Sequence, residues 1–217
     1  MRSRFDEQLA TLNQELTRMG AMCEEAIAIA SKALTAGEAK LTDKVLSLDG
    51  EINHMERTIE TLCLKLLLQQ QPVAKDLRQI SAALKMITDM ERIGTQAADI
   101  AEIIIFLGGR TGGECQQIRF MADAASRMVT ESIDAFVKQD VVLAGAAIDR
   151  DDVVDDLFLQ VKSSLMKLIA ENPTDGGYAL DLLMIAKYFE RIGDHAVNIA
   201  QWVAFSVTGE HKKTSDF

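Results

Sequence analysis

Glu190 and Asp194 stand four residues apart in a stretch of helical periodicity, and Asp151 and Asp155 stand four apart in the stretch before it. Four residues is about one turn of α-helix, so each pair shares one helix face. If the two helices are antiparallel neighbours, four carboxylates converge on one point. Such an all-oxygen cluster suits hard or borderline cations: Mg, Mn, Ca, Zn or iron. Without a cation, the mutual repulsion of four negative charges is costly. A sparser set lies upstream, with Asp49 four residues before Asn53 and Glu91 four before Thr95. Each of these pairs lacks one carboxylate, so a full metal site is expected in the second half of the chain rather than the first. The same spacing also fits an ordinary solvated face, because Lys187 and Gln201 share the stripe with Glu190 and Asp194 and allow i,i+3 and i,i+4 pairs.

Other chemistry is less well supplied. A di-iron centre of ferritin type needs Glu-x-x-His twice. Glu51-Ile52-Asn53-His54 provides it once, whereas neither His195 nor His211 has a Glu three residues before it. There is no Ser-His-Asp set, nucleophile elbow, P-loop or dinucleotide fingerprint. The enzymatic alternative is therefore a metal-dependent carboxylate-site helical-bundle enzyme. His195 reads either as an exposed helix histidine or as a donor supporting its neighbour Asp194. Arg92 and Arg191 read as partners of nearby carboxylates. Gly94 and Gly193 lie mid-helix, where glycine costs about 1 kcal/mol relative to alanine, and their matched placement predicts close helix approach.

The elements that position these residues follow from apolar spacings of three and four. One run passes through Phe5, Leu12, Met19 and Ala30, and a second through Val45, Ile52, Ile59 and Leu66, with Gly37 and Thr42-Asp43 between them. Pro72 ends the second run. The third carries two apolar stripes, Ile80-Leu84-Ile87 and Met86-Met90-Ile93-Ala97-Ile100-Ile104, which predicts a central helix. Gly108-Gly109-Arg110-Thr111-Gly112-Gly113 then interrupts the chain at its midpoint. Three further runs follow, through Ile118–Phe136, Val154–Leu168 and Leu182–Val203, with Pro173 before the last of them. Glu91–Glu102 aligns with Glu190–Gln201, and Glu, Arg, Ile, Gly, Ala, Ile and Ala recur at matched positions. This predicts an all-α fold of two tandem three-helix-bundle repeats, six helices with a pseudo-two-fold duplication. The first repeat spans residues 1–107, the glycine-rich linker 108–113 and the second repeat 114–217.

Composition narrows the function. The 217 residues carry 23 Lys+Arg against 33 Asp+Glu, a net charge of −10, and no basic cluster, which disfavours nucleic acid. With 48 % hydrophobic and 26 % charged residues the chain is globular rather than disordered, and 5 % aromatics with 2 Pro favour helices over a β-barrel. No apolar run is long enough to span a membrane, and residues Met1–Asp6 have no signal-peptide character. The three cysteines, Cys23, Cys63 and Cys115, have neither metal nor disulfide spacing and read as reduced thiols. A cytoplasmic location is expected.

Two third helices that each carry Glu-Arg-Ile-Gly-x-x-Ala-x-x-Ile-Ala resemble the PhoU family of bacterial phosphate-signalling and phosphate-transport regulators. Arg2–Leu9 and Gln70-Gln71-Pro72-Val73-Ala74-Lys75-Asp76-Leu77-Arg78 extend the resemblance over nearly the whole chain. It implies metal ions held by the acidic motifs, here by Asp151, Asp155, Glu190 and Asp194, with Asp49 and Glu91 as the leading acids of the depleted first-half set. It implies no catalysis. The implied role is an adaptor, expected as a homodimer, between the ATPase subunit of a phosphate ABC transporter and a phosphate-sensing histidine kinase, with negative regulation of the phosphate-starvation response.

Overall fold

The computed structural model describes residues 2–69, 72–113 and 115–210. His211 and the Gln70-Gln71 part of the motif before the third helix lie outside the described residues. The described chain is helical throughout: α1 (Arg2–Ala36), α2 (Thr42–Gln69), α3 (Ala74–Phe106), α4 (Gln117–Lys138), α5 (Val141–Asp149), α6 (Asp151–Glu171) and α7 (Gly176–Thr208). Single 3-10 turns precede α2 (Ala39–Leu41) and α7 (Pro173–Asp175). The six long helices form the two expected triads, α1–α3 and α4, α6, α7.

The helix ends are made by local chemistry. After α1, Gly37 takes the left-handed conformation at φ 66°, its N–H donates to the Leu34 carbonyl at 3.3 Å, and the Glu38 N–H donates to that of Ala33 at 3.1 Å. This pair of bonds satisfies carbonyls that the helix end would otherwise leave open. The same turn closes α4, but there Gln139 adopts the left-handed conformation at φ 54°, with Asp140 N–H donating to the Ala135 carbonyl at 2.9 Å. Asp140 then caps a new helix, its carboxylate accepting from the N–H groups of Val142 and Leu143 at 2.9 and 3.0 Å. That nine-residue helix, α5, leads into α6 across Arg150, so the second helix of the second repeat comes in two pieces.

The two triads do not have separate cores. Buried side chains from both, including Leu12, Ile52 and Ile93 from the first and Phe136, Val161 and Phe189 from the second, form one continuous cluster. The junction consists of α3 packed on α7 and α1 packed on α4. The double apolar stripe of α3 is accounted for, since α3 packs on α1, α2 and α7. Gly20 on α1 lies directly against the Ile133 side chain of α4, which leaves no room for a β-carbon. The Cys23 thiol donates to the Met90 carbonyl of α3 at 3.3 Å. Burial holds Cys23 well above the usual thiol range and pushes Cys63 up to about 12, so neither is a ready nucleophile.

The glycine-rich segment is pinned rather than slack. Arg110 donates to Asp175 at 2.7 Å, holding that carboxylate below its ordinary range, and the guanidinium lies 3.3 Å from the Tyr178 ring centroid. The Tyr178 hydroxyl in turn accepts from the Gly112 N–H at 3.0 Å. Gly109 also approaches Gly37 so closely that a β-carbon on Gly37 would stand 2.6 Å from the Gly109 carbonyl oxygen. Gly37→Ala thus meets both a positive φ and a backbone clash, and should cost about 1–3 kcal/mol in urea unfolding. Gly145→Ala, on a helical position with open space around it, should instead gain about 0.5–1 kcal/mol. Equal midpoints for the two variants would contradict this account of the α1 turn.

Candidate metal centre

The candidate site is built by helices that face each other because α6 and α7 are joined by a short turn. Asp151 and Asp155 project from the first turns of α6 toward Glu190 and Asp194 on α7. All four act on one another electrostatically: Asp151 is raised by burial first and then by Asp155, Asp194, Glu190 and Asp152. Its carboxyl is pushed up to about 6 from 3.8. Asp155 and Asp194 are also raised, in each case by burial and then by Glu190, while Lys187 pulls both back down. The two helices thus bring the carboxylates near enough to act on one another across the α6–α7 contact.

Gly193 explains how Asp151 comes so close. A β-carbon there would lie 3.2 Å from Asp151 Oδ1, so the carboxylate rests against the bare backbone of α7. Gly94 does the same in the first repeat, where a β-carbon would stand 3.4 Å from Asp49 Oδ1 and 3.0 Å from Ile52 Cδ1. The close approach expected of the two glycines serves the leading acid of each set.

The donor chemistry fits a hard cation. Asp151 Oδ1 is buried from solvent and receives no hydrogen bond among the described residues, leaving unspent lone pairs beside three further carboxylates. The local positive charge is Lys187, whose ammonium pairs with Glu190 Oε2 and lies 5.5 Å from the Phe158 ring centroid. This is the i,i+3 pair foreseen for a solvated face. Among the described residues no three His, Cys, Asp or Glu side chains stand as placed in an arrangement that could hold an ion. Closing the four carboxylates on a cation requires their side chains to rotate inward and Lys187 to give way.

The first repeat solves the same problem differently. The Thr95 hydroxyl lies between Asp49 Oδ1 at 3.4 Å and Glu91 Oε1 at 3.3 Å. Asp49 is raised by burial, partly offset by this hydroxyl, and raised again by Glu91. Arg92 pairs with Glu91 at 3.5 Å. Sequence reasoning missed Glu56, which faces Glu91 from α2, is raised by burial and then by that residue, and accepts from Thr88 at 3.5 Å. Its signal is the seven-residue step from Asp49, two turns along the same face. Glu56 and Thr88 match Phe158 and Lys187 in the second repeat, so an acid with a hydroxyl stands where the other repeat has an aromatic ring with a cation.

His195 is half-buried, not an exposed helix histidine and not bonded to Asp194. Its Nδ1–H donates to Asp89 Oδ1 of α3 at 2.9 Å, and Asn198 Nδ2 donates to the same oxygen at 3.2 Å. Arg191 lies near Asp99 and lowers it against burial and Glu102. These contacts fasten α3 to α7 and belong to the repeat junction rather than to the acidic cluster.

The raised Asp151 carries a sign for stability. Its native pKa lies above the unfolded value near 3.8, so in metal-free protein this site stabilises at low pH and loses that contribution as pH rises from about 4 through about 6. Asp151→Asn should stabilise metal-free protein against unfolding at pH 7.5, by about 1 kcal/mol once solvent screening and the favourable helix N-terminal position of the charge are allowed for, and so raise its thermal midpoint. The gain should vanish near pH 4. A variant equally or less stable at pH 7.5 would show that the carboxylate is not under repulsion.

The chain matches the PhoU domain twice, over residues 16–104 and 118–203. It is 32 % identical to a phosphate-specific transport system accessory protein PhoU homolog of Clostridium acetobutylicum, with 98 % of each chain covered. A homolog of the same description from Aquifex aeolicus is 34 % identical over 85 % of this chain and 84 % of its own. The crystal structure of PhoU from Pseudomonas aeruginosa superposes with a TM-score of 0.88 at 33 % identity, covering 95 % of this chain and all of that one. The structure of a phosphate transport system regulatory protein PhoU from Streptococcus pneumoniae shares the fold, with a TM-score of 0.87 at 24 % identity. Matched in both repeats and along nearly its whole length, this chain belongs to the PhoU family.

Proposed function

We propose that the chain is an accessory regulator of phosphate-specific transport, a non-catalytic adaptor that restrains uptake and the phosphate-starvation response. The observation that carries this reading is the near-complete overlap with relatives described as accessory proteins of that transport system. Its partners on this reading are the ATPase subunit of a phosphate ABC transporter and a phosphate-sensing histidine kinase. The chain acts as a homodimer in the cytoplasm. A helical bundle with one continuous core suits such a role, because long rigid faces dock partner helices without reorganising. Among the described residues no helix is long and apolar enough to cross a membrane.

A metal bound by Asp151, Asp155, Glu190 and Asp194 belongs to the same proposal. A divalent cation there supplies the positive charge that offsets the mutual repulsion of the four carboxylates. In its absence Lys187 holds Glu190 and moderates Asp155 and Asp194. Lys187 thus competes with a cation for the same oxygens, and Gly193 keeps Asp151 within reach of them.

Three measurements test the reading. Untagged protein should purify with bound metal, and Glu190→Ala with Asp194→Ala should remove it while circular dichroism stays unchanged; unaltered metal content would refute the site. Lys187→Gln should raise cation affinity several-fold, because it removes the competing ammonium. Immobilised chain should capture a phosphate-transporter ATPase or the sensor region of a phosphate-responsive kinase. Failure to capture either, with metal-dependent turnover of some substrate, would overturn the adaptor in favour of an enzyme.

A further inference from the structure

Lys187 stands three residues before Glu190 on α7, and Phe158 stands three residues after Asp155 on α6. The Lys187 ammonium pairs with Glu190 Oε2 and lies 5.5 Å from the centroid of the Phe158 ring, within the range of a cation–π contact. It also acts electrostatically on Asp155 and Asp194, so one tethered charge serves three of the four carboxylates. The Lys187 side chain is 44 % exposed and that of Glu190 14 %, which leaves the ammonium a way out to water while the carboxylate stays in place. In the first repeat Thr88 takes the position of Lys187, and Glu56 that of Phe158.

Four neighbouring carboxylates attract any cation, monovalent ions included. A free monovalent ion and the Lys187 ammonium carry the same single charge, so local concentration decides which of them holds the oxygens. An ammonium confined to a sphere of roughly 5 Å radius has an effective concentration of roughly 3 M, about twenty times physiological salt. The Phe158 ring tightens that confinement from α6, where Glu190 alone would hold the ammonium only from its own helix. A free monovalent ion therefore loses the contest. A divalent ion wins it, because its charge doubles the Coulomb attraction and it takes oxygens at about 2.0–2.6 Å, against about 2.7–2.9 Å for an ammonium.

An ordinary i,i+3 pair on a solvated face accounts for the Glu190 contact alone. It does not account for the ring presented by the facing helix, nor for Asp151 Oδ1, which is buried without a hydrogen bond beside the carboxylates that Lys187 moderates. The residue type matters as well. An arginine would grip a carboxylate through a planar, bidentate fork, whereas lysine offers one point charge on a flexible four-carbon stem. Such a charge neutralises the set when the site is otherwise empty and swings clear when a stronger cation arrives.

We propose that Lys187, steadied by the Phe158 ring, is the selectivity element of the second-repeat site: a tethered monovalent cation that keeps free monovalent ions off the four carboxylates and yields only to ions of charge two or more. This deepens the metal reading and rests on it for the identity of the site. Lys187 and Phe158 are positioning residues, and neither is a ligand. Occupancy of the site then follows the supply of divalent cations and is indifferent to the monovalent salt around it.

The test uses the full metal-free chain and exchanges potassium for tetramethylammonium, a cation too bulky to sit among carboxylates, at a constant ionic strength of about 0.2 M. In Lys187→Gln, raising potassium from about 10 to about 200 mM should weaken Mn²⁺ binding in calorimetry at least about five-fold, whereas wild type and the charge-conserving Lys187→Arg should change less than about two-fold. With no Mn²⁺ present, potassium should raise the thermal midpoint of Lys187→Gln and leave that of wild type unmoved. Phe158→Leu should tighten Mn²⁺ about two-fold in the wild-type background and have no effect on Mn²⁺ in the Lys187→Gln background, which separates the ring's hold on the ammonium from its packing. Equal potassium dependence in wild type and Lys187→Gln would overturn the proposal. The same effect of Phe158→Leu in both backgrounds would overturn the ring's part in it. Absence of Mn²⁺ binding to wild type would count against the metal reading alone, because the potassium response of metal-free Lys187→Gln still decides the selectivity.

Discussion

α3 and α7 each carry apolar residues along two faces, so neither can lie at the edge of a bundle without exposing one of them to water. Packing them on each other, with α1 against α4, buries both faces and makes one core from two repeats. The polar contacts at the junction are consistent with this arrangement: Asp89 accepts from His195 and Asn198 where buried helix faces give way to solvent. Once the third helices are back to back, their Glu-Arg-Ile-Gly segments must face outward toward the second helix of their own repeat. The acidic sets are therefore a consequence of the junction, one on each side of it.

The duplication has diverged at those sets. In the second repeat, four carboxylates share one place with Lys187 as their counter-charge, and Asp151 is raised to about 6. In the first, Thr95 inserts a hydroxyl between Asp49 and Glu91, and Thr88 bonds Glu56. One side is a site under repulsion, which a cation would relieve; in the other, the two hydroxyls offset part of the repulsion among Asp49, Glu56 and Glu91. The glycine under the leading acid is retained in both, so each leading acid comes close to the facing helix while the side chains around it differ.

Much of this could be read from residue order because helical periodicity is a local property. The helix breaks at Gly37, Pro72 and Pro173, the double stripe of α3, the spacing of Asp151, Asp155, Glu190 and Asp194, and the close approach at Gly94 and Gly193 all follow from neighbours within one or two turns. What escaped was set by contacts or conformations without a local mark. The helix α5 was hidden because Gln139 takes the left-handed turn that glycine usually signals. The Asp89–His195 bond joins residues 106 apart, and Glu56 acquires meaning through Glu91 on another helix. Lys187 was visible as an i,i+3 partner of Glu190, but its reach to Asp155 and Asp194 depends on how α6 lies on α7.

On the proposed reading, the second repeat holds a cation because its set of carboxylates is complete, and the first does not because its set is depleted. Restoring the missing acids by Asn53→Asp with Thr95→Asp tests this directly. Calorimetric titration of the metal-free variant with Mn²⁺ should show one additional binding site per chain relative to wild type. An unchanged stoichiometry in a correctly folded variant would contradict it.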